Sequence, residues 1–540
     1  MPDPMSPDLI LYNGKLHTQD PDTPRATAVA MVGGRFAAVG DDAEIRALAG
    51  PDTRTLDLGG RLALPGLIDA HFHLRSWALS RRRLSLVEAR SLSDLQQRLA
   101  ERARRAPEGG WILGQGWNET RWPTPGKPTR ADLDAAAPAH PVLLWRSDLH
   151  LAVANSRALR EAGVDADTPD PTQGRIDRDD AGTPTGILRE RAVDLVEDAV
   201  PPPSEDEVVE AVREALDVLH RLGLTGVHDH RIMGGGDGQS AFRAYQHLHR
   251  AGELALRLWM GIPGERLDEA VALGLRTGFG DRRLRVGHVK LFSDGSQGAR
   301  TAWMLEPYDD TDDAGMPLTP MDEIAEAVKK ADRAGLAVAV HAIGDRANRE
   351  LISVFERASQ ARADGAGDRI PHRIEHAQIL RPADVQRLGG LGVAASVQPI
   401  HITDDISLSE ASIGERSRFA YPFRDMLAAG VTLAFGSDAP GAAANPLWGI
   451  HAAVTRQRRD GSPPGGWYPE QRLSVAEAVW GFTMGPAIVS GQEADLGAIA
   501  PGKLADVVVL DRDIFTIEPM DIHRAQVVMT VFDGEVVYEG

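Results

Sequence analysis

The 540-residue chain contains no cysteine. Disulfide cross-links, zinc sites built on thiolates and cysteine nucleophiles are therefore excluded. Lysine is also scarce, because only six of the 59 basic residues are lysines and the others are arginines. One of the six, Lys290, lies inside a strongly apolar segment, where a charged ammonium group is costly to bury. This position needs a chemical reason for lysine rather than arginine.

The chain also lacks long hydrophobic runs and an excess of positive charge. No apolar stretch approaches the ~20 residues that a membrane span requires. Residues 1–8 show no basic segment followed by an apolar one, so we expect no signal peptide and a cytoplasmic location. The formal net charge of −19 argues against nucleic acid as a partner. The composition is typical of a soluble enzyme that binds neither nucleic acid nor a membrane.

Two histidines stand one residue apart at the end of an apolar run that a Pro-Gly pair introduces. Residues 64–70 have the pattern of a short buried strand. Alternate residues of a strand point to the same side, so His71 and His73 can present two imidazoles to one point. This arrangement suits a transition metal such as zinc. A His-x-His pair by itself more often consists of two solvated histidines, so the assignment depends on further ligands elsewhere in the chain.

Four other apolar segments carry side chains that can bind a metal. They are His341 at the end of 336–341, His376 in 372–378, Asp438 at the end of 431–438 and Lys290 in 286–292. In a β/α barrel the carboxyl ends of the parallel strands converge on one centre, and active sites lie there. The spacing of these segments therefore predicts a barrel with its site at the strand ends.

Two interpretations of Lys290 are open. A buried lysine either titrates down or finds a charged partner. In the first case its neutral amine can react with carbon dioxide to form a carbamate, an anionic oxygen ligand that can bridge two metal ions. Arginine is too persistently protonated for this reaction. In the second case Lys290 is a structural residue paired with Asp294.

These residues, in this order, resemble the metal-ligand series of the amidohydrolase superfamily. More narrowly, the chain is similar to the branch that includes N-substituted formamide deformylase, amidohydrolase family 3. The resemblance spans nearly the whole chain, and the segments that carry it are 114–117, 148–156, 289–296, 340–347, 373–378, 435–440 and 500–510.

The resemblance implies a metal-dependent enzyme acting on carbon–nitrogen bonds other than peptide bonds. The implied ligands are His71, His73 and Asp438 for one divalent ion, His341 and His376 for a second, and N6-carboxylated Lys290 as the bridge. Metal-activated water would cleave a small-molecule amide, with Asp438 as the catalytic base. Zinc is the first expectation, although iron or manganese fits the same donors, and either one or two ions are compatible with the set.

We predict an α/β fold, a (β/α)8 TIM-like barrel with a lobe inserted after the first strand. Residues 1–63 and 485–540 are expected to form a small discontinuous β-sandwich domain from both termini. Residues 64–84 and 204–484 are expected to form the barrel. The gap between the first two barrel strands is too long for one helix, so residues 85–203 are expected to form a lobe that caps the pocket.

Four side chains outside the ligand set are candidate substrate contacts. Trp117 and His150 lie in glycine-flanked or polar stretches of the insertion, which suit loop tips, although its tryptophans mostly fit the lobe's own core. Arg189 and Gln398 fit substrate contacts and inter-lobe hydrogen bonds equally well.

His228 is a fifth candidate. It belongs to a second His-x-His, with His230, at the end of a predicted strand. It either faces the pocket as a substrate contact or is an ordinary hydrogen-bonded histidine. His71 and His73 are preferred as ligands because the first-strand position and the Pro-Gly entry match the family.

The sequence leaves several substrate classes open. An N-substituted formamide or another amide is expected, while cyclic amides, esters and carbamates are alternatives. A metal-binding regulatory relative without turnover is a further alternative, although binding alone would not require the general base Asp438. For assembly, a homodimer is one option.

Overall fold

The computed structural model describes residues 6–119, 122–124, 126–146, 151–171, 174–233, 236–361 and 370–540. The chain divides into two compact units, one comprising the segments up to residue 77 and from 212 to 540, the other comprising 78–211. In the described part of the chain, no helix combines the length and the apolar character needed to cross a bilayer.

Eight parallel strands form one sheet in sequential order, which confirms the predicted barrel. Six of them consist entirely of buried residues, as strands covered on both faces should. Barrel strands 1 to 8 are Leu67–Phe72, Leu224–Asp229, Arg257–Pro263, Leu284–Phe292, Val338–Ala342, Arg373–His376, Ala394–Val397 and Leu433–Phe435.

The first and last barrel strands meet at Gly436. A Cβ at this position would lie 2.4 Å from the backbone nitrogen of His71, so only glycine permits the approach. Just beyond it, the backbone N–H of Asp438 donates to the carbonyl of His71 at 2.7 Å. The buried carboxylate of Asp69 accepts from the backbone N–H groups of His71 and Ser437, both at 3.0 Å. Closure of the barrel therefore places His71 beside Asp438.

Helices follow the barrel strands, as β/α alternation requires. In the segment after the second strand they are Gly238–Arg250, Leu267–Ala272, Met321–Ala334, Asp345–Ala361, Pro382–Gly389, His401–Ile413, Phe423–Ala428, Pro446–Thr455, Val475–Gly481 and Met484–Val489. Helices Leu74–Arg81 and Glu205–Arg221 lie at the two boundaries between the units.

Both ends of the chain contribute to two further sheets. One has the order Arg35–Gly40, Ala28–Val32, Leu9–Tyr12, Arg54–Asp57. The other has the order Glu535–Glu539, Val527–Phe532, Val507–Leu510, Leu62–Pro65, Lys15–His17, Arg25–Ala26. Buried residues of both sheets form one hydrophobic core, which includes Leu11, Val29, Phe36, Val507 and Val531. The two sheets thus pack together, as the predicted terminal β-structure requires.

The unit of residues 78–211 contains a six-stranded mixed sheet. Its order is Gly174–Arg178, Pro184–Glu190, Leu151–Ala154, Val142–Arg146, Ile112–Trp117, Leu84–Ser85. Helices Leu92–Ala103, Arg130–Ala136, Ser156–Glu161 and Asp194–Glu197 belong to the same unit. Two separate hydrophobic clusters are built on this sheet, so the unit has a core of its own.

Candidate metal centre

A cavity of about 460 Å³ lies at the carboxyl ends of the barrel strands. All six side chains predicted as ligands line it, namely His71, His73, Lys290, His341, His376 and Asp438. Apolar side chains, among them Phe292, Ile343 and Leu408, form much of the remaining wall. The barrel therefore brings together residues that are up to 367 positions apart in the chain, since 438 − 71 = 367.

His71, His73 and Asp438 form the most compact donor group. The Nε2 atoms of His71 and His73 lie 3.4 Å and 3.0 Å from Oδ1 of Asp438. His73 uses its other nitrogen, Nδ1, to donate to the carbonyl of His230 at 3.0 Å, which leaves Nε2 with the free lone pair. Two imidazole nitrogens and a carboxylate oxygen thus face one point, as in a zinc site with open positions.

The orientation of His71 depends on Glu375. The Nδ1 of His71 lies 2.6 Å from Oε2 of Glu375, and because a carboxylate only accepts, Nδ1 carries the proton. The Nε2 of His71 is then an acceptor, yet it is buried and has no hydrogen-bond partner among the described residues. A buried acceptor without a hydrogen-bond partner lowers the stability of the folded protein. A divalent metal ion fits this atom, and a carboxylate behind the imidazole is the usual support of such a ligand.

Arg373 connects this support to the neighbouring strands. It is fully buried and donates to both oxygens of Glu375, to Nδ1 of His228 at 2.9 Å and to Nε2 of His230 at 2.8 Å. It also donates to the carbonyl of Ala70. Although burial acts in the opposite direction, the Arg373 guanidinium helps to hold the pKa of Glu375 well below its usual range. Glu375 therefore remains an acceptor for His71.

Burial keeps His71 and His341 neutral at pH 7. Burial lowers the pKa of His71 to about 4 and that of His341 to about 3, and Lys290 adds to both shifts. Burial would raise the pKa of Asp438, but the neighbouring His71 and His73 hold it well below its ordinary value. Neutral imidazoles beside an ionised carboxylate are the protonation states that metal binding requires.

Two of the predicted ligands have strained backbones. His376 and Asp438 adopt φ angles of 70° and 60°, in the left-handed region that non-glycine residues rarely occupy. Such conformations cost about 1–3 kcal/mol each and concentrate at functional sites. His376 is the last residue of barrel strand 6 and Asp438 lies three residues beyond barrel strand 8, and both line the cavity.

Lys290 has no carboxylate partner within the described chain. Its Nζ lies 5.0 Å from the centre of the Phe292 ring, and burial lowers the pKa of Lys290 to about 8. Asp294 is occupied elsewhere, because it accepts from the backbone N–H groups of Trp303, Ile343 and Gly344 at 2.8–3.0 Å. The interpretation of Lys290 as the structural partner of Asp294 is therefore wrong.

A second donor group shares Asp438 with the first. It consists of His376, His401 and Asp438, and Nε2 of His401 lies 3.9 Å from Oδ2 of Asp438. The Nδ1 of His376 is buried and has no partner among the described residues, so this site also has an atom that a metal ion would satisfy. The ring of His341 lies 4.5 Å from that of His376, while its Nε2 lies 3.0 Å from the carbonyl of Gly295.

Two of the predicted substrate contacts, Trp117 and Arg189, make contacts within the unit of residues 78–211. Trp117 is fully buried in the core of its own unit and donates to the carbonyl of Leu144 at 3.0 Å, so it is a packing residue. Arg189 forms a bidentate pair with Asp177 in the same unit, at 2.8 Å and 2.7 Å. His150 lies outside the described residues.

The two candidates on the barrel are likewise engaged in internal hydrogen bonds. His228 accepts from Arg373 and does not line the cavity, which corrects the expectation of a substrate contact. Gln398 is buried, and its Nε2 lies 3.4 Å from the carbonyl of Ser396. Both are residues of the barrel interior.

Three residues of the site were missing from the sequence prediction: Arg373, Glu375 and His401. Arg373 and Glu375 lie three and one residues before the predicted ligand His376, and two opposite charges within one predicted strand are a signal that could have been used. His401 begins a helix just after barrel strand 7, the position that a barrel uses for its active site.

The whole chain is similar to known proteins. A model described as the amidohydrolase family matches residues 54–538. The protein LONG AFTER FAR-RED 3 of Arabidopsis thaliana is 35% identical over 544 residues, covering 98% of this chain and 91% of that protein. N-substituted formamide deformylase of Arthrobacter pascens is 30% identical over 553 residues, covering 98% of each. An uncharacterized metal-dependent hydrolase from Pyrococcus horikoshii has a TM-score of 0.77 at 30% identity, covering 95% of this chain and 99% of that structure.

Proposed function

The chain belongs to the amidohydrolase family, and on this premise we propose that it hydrolyses a carbon–nitrogen bond of a small amide with the help of divalent metal ions. An N-substituted formamide is the first substrate class to test, because a deformylase of that class is similar over the full length. Cyclic amides, esters and carbamates are alternatives, since the same chemistry acts on other carbonyl groups.

One observation supports this proposal more than any other. The buried Nε2 of His71 has no partner among the described residues, although it lies beside Nε2 of His73 and Oδ1 of Asp438. We assign the first ion to these three residues and expect zinc, because it prefers mixed imidazole and carboxylate donors. A divalent ion bound there would lower the pKa of water and polarise the scissile carbonyl.

Asp438 is the proposed catalytic residue. Its Oδ1 faces the two histidines, and its Oδ2 faces His401. An ionised carboxylate in this position can accept a proton from the water molecule that adds to the carbonyl carbon. It can then deliver that proton to the leaving nitrogen as the carbon–nitrogen bond breaks. The products are a carboxylic acid and an amine, with no covalent intermediate on the protein.

We further propose that Lys290 is carboxylated and serves as a ligand for a second ion. Its pKa of about 8 leaves a fraction of the amine neutral at pH 7, and the neutral amine adds to carbon dioxide with loss of one proton. The resulting carbamate would supply an anionic oxygen between the donors on His71 and those on His341 and His376. The alternative site for the second ion consists of His376, His401 and Asp438 and does not use Lys290. The two ligand sets therefore predict different metal contents in variants of Lys290 and His401.

Metal analysis and kinetics test the proposal together. Metal-reconstituted protein should hydrolyse at least one member of a matched series comprising a formamide, a cyclic amide, an ester and a carbamate. Asp438→Asn should lower kcat by orders of magnitude, because it removes the proton acceptor. Asp404→Asn, on the exposed side of helix His401–Ile413, is the matched control and should retain activity. Full metal content without hydrolysis of any of these substrates would favour a non-catalytic metal-binding protein.

The second ion is tested by two variants. Lys290→Ala should lose metal, and short-chain carboxylates should restore part of it. His401→Ala should retain its metal if the carbamate set is correct. Loss of one ion in His401→Ala together with full metal in Lys290→Ala would contradict the carbamate and assign the second ion to His376, His401 and Asp438.

A further inference from the structure

One face of helix His401–Ile413 forms a wall of the cavity. His401, Asp405 and Leu408 line it, at positions i, i+4 and i+7 of the helix. Residues at this spacing lie on the same side of a helix. His401 lies beside the proposed catalytic carboxylate, with its Nε2 atom 3.9 Å from Oδ2 of Asp438. Four residues of helix rise by about 6 Å, so Asp405 lies roughly one turn further along the wall.

The carboxylate of Asp405 is held in position by its Oδ2 atom. This oxygen accepts from Nε2 of Gln378 at 3.0 Å and from the hydroxyl of the buried Tyr421. Gln378 is held in turn, because its Nε2 lies 3.1 Å from Oε1 of Gln297. The Oδ1 atom of Asp405 has no hydrogen-bond partner in the described part of the chain. The structure thus presents an oriented carboxylate that lines the cavity and has one oxygen without a hydrogen-bond partner among the described residues.

Outside the proposed metal centre, the charge carried by the described lining of the cavity is negative. Among the described residues that line the cavity, the only lysine or arginine is Lys290, which is buried at the proposed metal centre. Asp405 and Asp438 are the carboxylates of the lining, and only Asp405 is outside the proposed ligand set. An unneutralised carboxylate in a partly enclosed cavity attracts a protonated amine and repels a carboxylate.

We propose that Asp405 binds a protonated amino group of the substrate, so that the preferred substrates are amides with a second, basic nitrogen. The proposal rests on the hydrolase function proposed above. The scissile carbonyl lies at Asp438, beside His401, and the ammonium group lies at Asp405, about one helical turn (~6 Å) along the helix from His401. Apolar side chains such as Phe292 and Leu408 contact the alkyl chain that joins the two groups. Asp405 is then the residue that determines specificity, and it takes no part in bond cleavage.

The first test uses the unmodified enzyme and a pair of substrates. One is a monoformylated alkyl diamine, whose second nitrogen is protonated at pH 7, and the other is the N-alkyl formamide of equal length with a terminal methyl group. We expect kcat/KM to be about 10-fold or more higher for the cationic member, the scale of one specific pocket contact. Added salt should reduce the difference. Equal values, or a preference for the neutral member, would overturn the proposal.

Three variants separate the charge of Asp405 from its structural role. Asp405→Asn should abolish the preference for the cationic substrate and leave metal content unchanged. Tyr421→Phe removes a hydrogen bond to Asp405 but keeps the carboxylate, so it should retain the preference. Asp404→Asn, the adjacent exposed carboxylate, should also retain it. If Tyr421→Phe loses the preference as completely as Asp405→Asn, the effect is structural and the assignment fails.

A binding measurement keeps this proposal distinct from the proposed function. Titration calorimetry with n-butylammonium ion requires no turnover and no identified substrate. Binding to the metal-loaded wild type that weakens at least about 10-fold in Asp405→Asn supports the subsite, even if no amide is hydrolysed. Equal binding to both proteins contradicts the subsite, whether or not the enzyme is active.

Discussion

Replacing Glu375 by glutamine tests whether the metal centre depends on the carboxylate behind His71. Glu375 is fully buried, accepts from Nδ1 of His71 at 2.6 Å and accepts from Arg373 at both of its oxygens. Glutamine has the same shape, but only one of its two terminal atoms is an acceptor. Whichever way the amide is oriented, either His71 or Arg373 meets an N–H group in place of an oxygen.

The two orientations have different costs. If the amide N–H faces His71, Nδ1 becomes the acceptor, the proton moves to Nε2 and the lone pair for the metal is lost. If it faces Arg373, a buried guanidinium loses a charged partner, and breaking a buried ion pair in this way costs about 3–5 kcal/mol of stability. Loss of a supporting carboxylate typically weakens metal binding about 10- to 100-fold, or roughly 1.4–2.8 kcal/mol. We therefore expect Glu375→Gln to bind metal at least 10-fold more weakly.

The assay is competition with a chelator of known affinity, followed by metal analysis of the recovered protein. Thermal unfolding of the metal-free and metal-loaded forms measures stability separately. Glu356→Gln is the matched control, because Glu356 forms a surface ion pair with Arg387 at 2.7 Å. A folded Glu375→Gln protein with wild-type metal affinity would refute the assignment of Nε2 of His71 as a metal ligand.

Two further predictions concern stability. Gly436→Ala would place a Cβ 2.4 Å from the backbone nitrogen of His71. We expect it to destabilise the protein by at least about 1–3 kcal/mol and to lower both the unfolding temperature and the metal content. The control is Gly126→Ala, which has open space around its Cα and should not change stability. Glu477 forms an ion pair with Arg424, which lowers the pKa of Glu477 to about 2. The ion pair therefore stabilises the folded protein above pH 4.5, the ordinary pKa of the carboxyl group, and this stabilisation is lost as the pH falls towards 2. Solvent screening limits this contribution to about 1 kcal/mol or less. Chemical denaturation should therefore show Glu477→Gln to be less stable than wild type at pH 7, and most of that difference should be lost at pH 2.

The barrel was predictable because its signal is local. Strands such as Val338–Ala342 and Leu433–Phe435 are largely buried, and each appears in the sequence as a short apolar run followed within a few residues by a polar side chain, His341 or Asp438. Parallel strands then bring their carboxyl ends to one edge of the sheet, independently of the conformation of the loops. Fold and family were therefore readable from segments of a few residues.

The hydrogen bonds that support the proposed ligands could not be predicted from the sequence in the same way. Arg373 contacts His228, which is 145 positions away in the chain, and Glu375 contacts His71, which is 304 positions away. Such pairs depend on strand order and register, and no local pattern specifies them. Trp117 shows the converse error, because its glycine-rich surroundings suggested a loop tip although its side chain fills a core.

The burial of the cavity residues separates catalysis from recognition. His71 and Lys290 are 1% and 2% exposed, whereas Met233, which also lines the cavity, is 61% exposed. Deep residues hold the proposed metal ions, and metal-assisted hydrolysis acts on many activated carbonyl groups, so they discriminate little between substrates. Selectivity between substrates must then come from the outer wall of the cavity, where a carboxylate such as Asp405 contacts the parts of the substrate that do not react. Variants of the deep residues should therefore change metal content and rate together, while variants of the wall should change which substrate is preferred.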